Sequence, residues 1–278
     1  MENDRDQTGS PPVIRARHNA QRVGGWAIMG HRVGIESMCR SGLDFVGIDA
    51  QHGFFAFEDA AVGIQIANLC GVPCYVRVPV DQVGWIPRYL DAGADGVVIA
   101  MVNSPEQVSR AVALASYQPH GARSYGGGRR NGVGEAALGT ELFQSAEVVA
   151  MVETSAARDC LGDLAAVPGL SGLYVGPVDL GLALGRPNPL PSDDAPFLAA
   201  LDEVVAASTR AGIRSGMFAT DGDDARRWLS LGFSDVVLSS DIAILRRGLH
   251  DQLARAREPV TAANPARSAR FADPYAGR

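Results

Sequence analysis

Eight times between residues 23 and 240 the chain sets a short, β-branched apolar run ahead of an alanine- and leucine-rich segment with helical spacing. This repetition limits its fold more than any other feature. The runs are VGGWAIM (23–29), DFVGID (44–49), PCYVRV (73–78), DGVVIA (95–100), EVVAMVE (147–153), GLYVG (172–176), RSGMFA (214–219) and DVVLSS (235–240). Continuously apolar strands that alternate with amphipathic helices imply a parallel sheet covered on its faces. Eight such units fit a single (β/α)8 TIM barrel better than an open doubly wound sheet. In a barrel the chemistry collects at the C-terminal ends of the strands, so the polar residues found there become the candidates.

The rest of the chain frames this barrel. Residues 1–20 are a polar tail containing Gly-Ser-Pro-Pro, residues 21–257 form the barrel domain, and residues 258–278 are an arm without apolar periodicity. The opening MENDRDQTGSPP is too polar and acidic for a signal peptide, and no apolar run approaches the ~20 residues of a membrane span. A cytoplasmic protein is the simplest expectation. With a net charge of −6 and no arginine-rich face interleaved with aromatics, the chain lacks the footprint of a nucleic-acid or anionic-membrane binder. Cys39, Cys70, Cys74 and Cys160 lack the paired spacing of a zinc site and read as reduced thiols.

One absence narrows the chemistry sharply. All 25 basic residues are arginine, because the sequence contains no lysine. Schiff-base catalysis by a side-chain amine, Walker-type phosphate loops and pyridoxal-phosphate attachment are thereby excluded. Carbanion chemistry here must use a metal or an arginine.

Reading the strand ends in order yields Asp49 and His52 after the second run, Arg77 within the third, Glu153 closing the fifth, Asp179 just after the sixth and Asp241 after the eighth. A guanidinium inside the apolar run YVRVPV must find an anionic partner or be costly to bury, so Arg77 points to function. Glu153 precedes Thr154, Ser155 and an alanine-rich stretch, and its position leaves helix capping and metal binding both open. Asp179 in YVGPVDLG reads equally as a turn aspartate after Gly-Pro. Taken alone, His52 reads as a hydrogen-bonded structural histidine. The cluster GARSYGGGRRNGVG (121–134) lacks the lysine and spacing of a phosphate loop and reads as an active-site loop whose Arg123, Arg129 and Arg130 guide an acidic substrate.

Taken together, DFVGIDAQHG (44–53), VRVP (76–79), LDAGADGVVIAMV (90–102), GARSYG (121–126), VETSAA (152–157) and GLYVGPVDL (172–180) resemble the metal-dependent (class II) pyruvate aldolases of the HpcH/HpaI family. That family includes 4-hydroxy-2-oxoheptanedioate aldolase and 2-dehydro-3-deoxyglucarate aldolase. The resemblance runs from about residue 22 to 250. It implies a carbon–carbon lyase that cleaves or forms a 4-hydroxy-2-oxo acid through a metal-bound pyruvate enolate, with small 2-oxo acids and aldehydes as partners. Glu153 and Asp179 match the two carboxylate ligands of a divalent cation, magnesium, manganese or cobalt, and oxygen donors suit such ions. Arg77 matches the arginine that holds the C2 oxygen of pyruvate, and His52 matches the catalytic base. Asp49 and Asp91 match acidic positions near that histidine. Gly176, Pro177 and Val178 match the loop whose backbone meets the substrate carboxylate. The resemblance further implies a homo-oligomer, a hexamer or trimer, with the C-terminal helix exchanged between subunits.

Three positions depart from the family. Gln51 stands where many relatives have glutamate, Met151 where a glutamine is common near the metal, and Ala100 where a proline is usual. These departures spare the residues matched to metal, enolate and base. They also keep other uses of the same site open: oxaloacetate decarboxylation, acyl-CoA cleavage, ring-forming condensation, or a non-catalytic barrel.

Overall fold

A computed structural model describes residues 21–126, 146–186 and 193–258. The polar tail, Arg129, Arg130 and the arm beyond residue 258 lie outside the described residues. Eight strands pair in parallel and in sequence order into a closed barrel: β1 (Arg22–Ala27), β2 (Phe45–Asp49), β3 (Cys74–Pro79), β4 (Gly96–Ala100), β5 (Glu147–Val152), β6 (Gly172–Val175), β7 (Arg214–Phe218) and β8 (Asp235–Ser240). Helices α1 (Arg32–Cys39), α2 (Phe57–Leu69), α3 (Ile86–Asp91), α4 (Pro105–Ala115), α5 (Ser155–Asp159), α6 (Leu161–Ala165), α7 (Pro177–Ala183), α8 (Ala195–Ala211), α9 (Gly222–Ser230) and α10 (Asp241–Ala256) alternate with them. All eight runs read from the sequence are strands, with ends displaced by a residue or two.

The runs are continuously apolar because each strand is buried on both faces. Outward residues such as Ile48, Val76, Ile99, Ala150, Leu173 and Val236 pack against the helices. Inward ones form a separate cluster of Trp26, Phe45, Tyr75, Val98, Ala100, Met151, Tyr174 and Val237. Two of the departing positions, Ala100 and Met151, therefore line the interior. Large rings fit there because glycines face them: a Cβ on Gly47 would collide with the Trp26 ring, and one on Gly216 with the ring of Tyr174. Trp26 and Tyr174 stack across the interior with centroids 6.1 Å apart.

The two ends of the barrel differ. At the start of the strands Arg22 donates to Asp235 at 2.6 Å and to the Tyr75 hydroxyl at 3.0 Å, Tyr75 donates to Glu147 at 2.9 Å, and Arg214 binds Asp235 through two nitrogens. This closed set of two cations and two anions plugs the N-terminal face, where barrels secure stability rather than chemistry. At the opposite end Asp241 accepts from the Ile28 and Met29 amides at 3.0 and 3.1 Å and so ties the exit of β1 to that of β8.

The described residues fall into two compact units that divide between Ile242 and Ala243. In the described part of the second, Ile244, Leu245, Leu249 and Leu253 are exposed along the helix. The four cysteines are free, and among the described residues no helix is long and apolar enough to cross a membrane.

The glycine–aromatic layer sets a test of the fold. Overpacking at Gly47→Ala or Gly216→Ala is expected to cost about 1–3 kcal/mol, read as a lower denaturant midpoint at constant slope. Gly34→Ala in α1, where the new Cβ meets nothing closer than 3.9 Å, is expected to be neutral or stabilising.

Candidate active site

The mouth of the barrel is organised by Asp49, the last residue of β2, whose side chain is fully buried. Strand register sets it beside Arg77 of β3. One carboxylate oxygen accepts from Arg77 Nε at 3.0 Å and from the Gln51 and His52 amides at 3.0 and 2.9 Å. The other accepts from Arg77 Nη2 at 2.5 Å and faces Trp26 Nε1 at 3.4 Å. Burial pushes this carboxyl up, but the Arg77 guanidinium and the two amides outweigh it and hold the group below the usual carboxylate range. Arg77 thus has the anionic partner its place in an apolar run demanded. Its guanidinium lies 5.7 Å from the Trp26 ring centroid, and its Nη1 has no protein hydrogen-bond acceptor among the described residues.

Glu153 follows β5 and is buried, and its role is separated from that of its neighbour. Thr154 is the N-cap of α5, accepting from the Ala157 amide at 3.0 Å, so the helix does not need Glu153. The glutamate instead turns into the barrel mouth, where Oε1 accepts from the Met101 amide at 2.6 Å. Burial pushes its carboxyl up, the Met101 amide pulls it down, Asp179 pushes it up again and Arg77 opposes, with the net result above the ordinary range. Asp179 lies in the first turn of α7, is exposed and has no ion pair among the described residues. Two carboxylates that repel each other beside a committed guanidinium suit a cation between them. Among the described residues no third His, Cys, Asp or Glu joins them in metal-holding geometry, so water and substrate oxygens would complete the shell.

His52 is exposed, and its contact with Asp49 runs through its backbone amide rather than its imidazole. Asp91 at the end of α3 and Arg123 are joined to each other: Arg123 Nη2 donates to Asp91 at 2.5 Å. Arg123 also lies 4.6 Å from the Tyr117 ring centroid and is 4 % exposed, which makes the pair an anchor for the loop carrying GARSYG. Gly176 caps α7, and a Cβ there would collide with Glu153 Oε2. Pro177 has no N–H, so amide contacts at this turn fall to Gly176 and Val178. A groove of about 590 Å³ between α5, α6 and α8 lies on the outer wall of the barrel, with Arg158 and Glu203 already paired across it. The convergent polar groups are at the mouth.

This arrangement of acid, arginine and histidine on successive strand ends coincides with a family-wide match: the model of the HpcH/HpaI aldolase/citrate lyase family covers residues 22–248. The chain belongs to that family. A hydroxypyruvate/pyruvate aldolase of Rhizorhabdus wittichii is 32 % identical over 84 % of this chain and 94 % of its own. A 5-keto-4-deoxy-D-glucarate aldolase of Klebsiella pneumoniae is 30 % identical over 83 % and 90 %. The crystal structure of an HpcH/HpaI aldolase/citrate lyase family protein from Burkholderia cenocepacia superposes with a TM-score of 0.76 at 28 % identity, covering 86 % of this chain and 95 % of that one. As a member of this family the chain is an enzyme of the class II aldolase, carbon–carbon lyase type.

Sequence reasoning missed Trp26, which meets both Asp49 and Arg77, and the Met101 amide on Glu153. A tryptophan in an apolar run signals only core, and a backbone N–H leaves no trace in residue identity.

The Asp49–Arg77 pair has a pH signature. Its folded carboxyl lies below the unfolded value, so its contribution is full above about pH 4 and is lost as pH falls through the folded pKa. Asp49→Asn is expected to lower stability at pH 7 by about 3 kcal/mol and to flatten the acid limb of the stability–pH curve in urea titrations.

Proposed function

We propose that this chain is a divalent-metal-dependent aldolase that cleaves or forms a 4-hydroxy-2-oxo acid through the enolate of pyruvate. One observation carries the reading: the raised, buried Glu153 carboxyl and Asp179 share the barrel mouth with a guanidinium fixed in place by Asp49, in a chain without lysine. Enolate charge formed here would meet the Arg77 guanidinium, Glu153 and Asp179 would hold a cation beside it, and the chain offers no lysine amine for a Schiff base. The names of the relatives, hydroxypyruvate/pyruvate aldolase and 5-keto-4-deoxy-D-glucarate aldolase, support a 2-oxo acid and an aldehyde as the two halves of the substrate.

Glu153 and Asp179 would hold magnesium, manganese or cobalt through carboxylate oxygens. When bound, such a cation polarises the C2 carbonyl of the oxo acid as a Lewis acid. Arg77 contributes its free Nη1 to the C2 oxygen while Asp49 keeps the guanidinium from rotating, so the donor is preorganised for charge that develops during cleavage. The amides of Gly176 and Val178 receive the substrate carboxylate. His52, directly or through one water, takes the proton of the C4 hydroxyl. The C3–C4 bond then breaks, its electron pair passes into the enolate, and the aldehyde leaves; the reverse path adds pyruvate enolate to an aldehyde.

Release of pyruvate from a panel of 4-hydroxy-2-oxo acids is expected with magnesium, manganese or cobalt, to vanish with EDTA and to return on adding the metal. His52→Ala is expected to lower kcat by roughly 10²–10⁴-fold. A rate no higher than that of Glu153→Gln across the whole panel would sink the aldolase reading. Carbon dioxide release from oxaloacetate without any aldehyde acceptor would redirect it to decarboxylation at the same enolate site.

We also infer that the enzyme is a homo-oligomer, a hexamer or trimer, from the exposed Ile244, Leu245, Leu249 and Leu253 on residues 243–256. The double substitution Leu249→Asp and Leu253→Asp is expected to shift the mass seen by light scattering to that of one chain, and an unchanged mass would refute this role for the helix.

A further inference from the structure

Met101, the residue after β4, has a φ of 58°, and among the described residues it is the only non-glycine in the left-handed region. A side chain disfavours that backbone, so the surrounding structure must impose it. Its effect is visible at Glu153: the turn aims the Met101 N–H at Oε1, 2.6 Å away. The other side of the same residue is held by Asn103, whose Nδ2 donates to the Met101 carbonyl at 3.0 Å. That contact needs an N–H, so the amide must present Oδ1 on its opposite side, where the Thr154 hydroxyl donates to it at 2.8 Å. Thr154 is covalently joined to Glu153. The contacts therefore close a ring that runs from Glu153 through Met101, Asn103 and Thr154 back to Glu153.

The ring is also tied outside itself. The Asn103 backbone N–H donates to Gln107 Oε1 at 2.7 Å, which fixes the asparagine to the first turn of α4. Thr154 is the N-cap of α5 through Ala157. With Oε1 occupied, Glu153 leaves Oε2 without a protein donor among the described residues, and Oε2 faces Gly176, where only a glycine gives it room. An exposed asparagine whose oxygen and nitrogen are both committed to unlike partners is more than a surface residue.

We propose that Asn103, with Thr154, is the positioning residue for Glu153: it holds the strained Met101 amide on Oε1, so that the carboxylate offers a single oxygen, Oε2, to a divalent cation in one orientation. The inference rests on the reading of Glu153 and Asp179 as the metal-binding pair. The physical gain is geometric. A carboxylate free to rotate presents both oxygens with a narrow bite, which an octahedral ion with short bonds accepts poorly, whereas one fixed oxygen leaves the remaining positions to Asp179, water and substrate. Groups that orient metal ligands in this way change metal affinity without touching the ion.

The test is Mn²⁺ affinity of the full chain, measured by electron paramagnetic resonance of the free ion without substrate. Asn103→Ala is expected to raise the Kd by roughly 10-fold or more, the range found when ligand-orienting groups are removed. Thr154→Ala should weaken binding likewise, and Thr154→Ser, which keeps the hydroxyl, should restore it. That pair decides the matter if Asn103→Ala fails to fold, as judged by circular dichroism. A folded Asn103→Ala with the wild-type Kd, while Glu153→Gln abolishes binding, would overturn the positioning role and leave the metal reading intact. Absence of Mn²⁺ binding by the wild-type chain would overturn both.

Discussion

A fully buried aspartate that meets one arginine decides the shape of this active-site candidate. Placing Asp49 and Arg77 at the mouth of an otherwise apolar barrel costs desolvation of two charges, and the cost is offset only if every lone pair and N–H finds a partner in good geometry. The structure meets that condition at Asp49 and, among the described residues, leaves only the Nη1 of Arg77 open toward the mouth. Asp49 takes two bonds from Arg77 and two from the backbone that follows it, so one carboxylate both orients the guanidinium and folds the turn that carries His52. Trp26 lies beneath the pair, and Gly47 on the next strand leaves room for the indole. The apolar interior is thus shaped by what the ion pair above it needs.

The same rim holds a second carboxylate in the opposite condition. Asp49 is paired and held low; Glu153 is buried, faces Asp179 and is held high. Two acids of one site whose surroundings push them apart have different tasks. The paired one is a fixture, and the unpaired one retains an oxygen that the protein does not satisfy. At the other end of the barrel no such contrast exists: Arg22, Arg214, Asp235 and Glu147 neutralise each other with Tyr75 between them, as befits a plug.

The fold was legible in the sequence because doubly buried strands have no choice but to be apolar throughout, and eight of them in register with helical segments leave few architectures. Arg77 was legible for the same reason: a charge inside such a run is conspicuous. Glu153 was only half legible. Two residues in a row, Glu153 and Thr154, could each have capped α5, and only the observed bond from Ala157 to Thr154 separates cap from site. Asp91 and Arg123 carried no signal of their partnership, since 32 residues separate them and neither sits in an apolar run. Asn103 was invisible, because its importance lies in the backbone of Met101.

What the sequence determined by itself was the set of side chains and the strand ends that carry them, together with the exclusion of amine chemistry by the missing lysine. These follow from local pattern and composition. The tertiary structure alone decided which acid pairs with the arginine, which acid is left over, and that a methionine amide in a left-handed turn holds it. Those outcomes depend on the register between β2 and β3 and on the approach of the loop after β4 to the end of β5, and pairings across a closed sheet are set by packing and hydrogen-bond satisfaction that residue order along one strand does not encode.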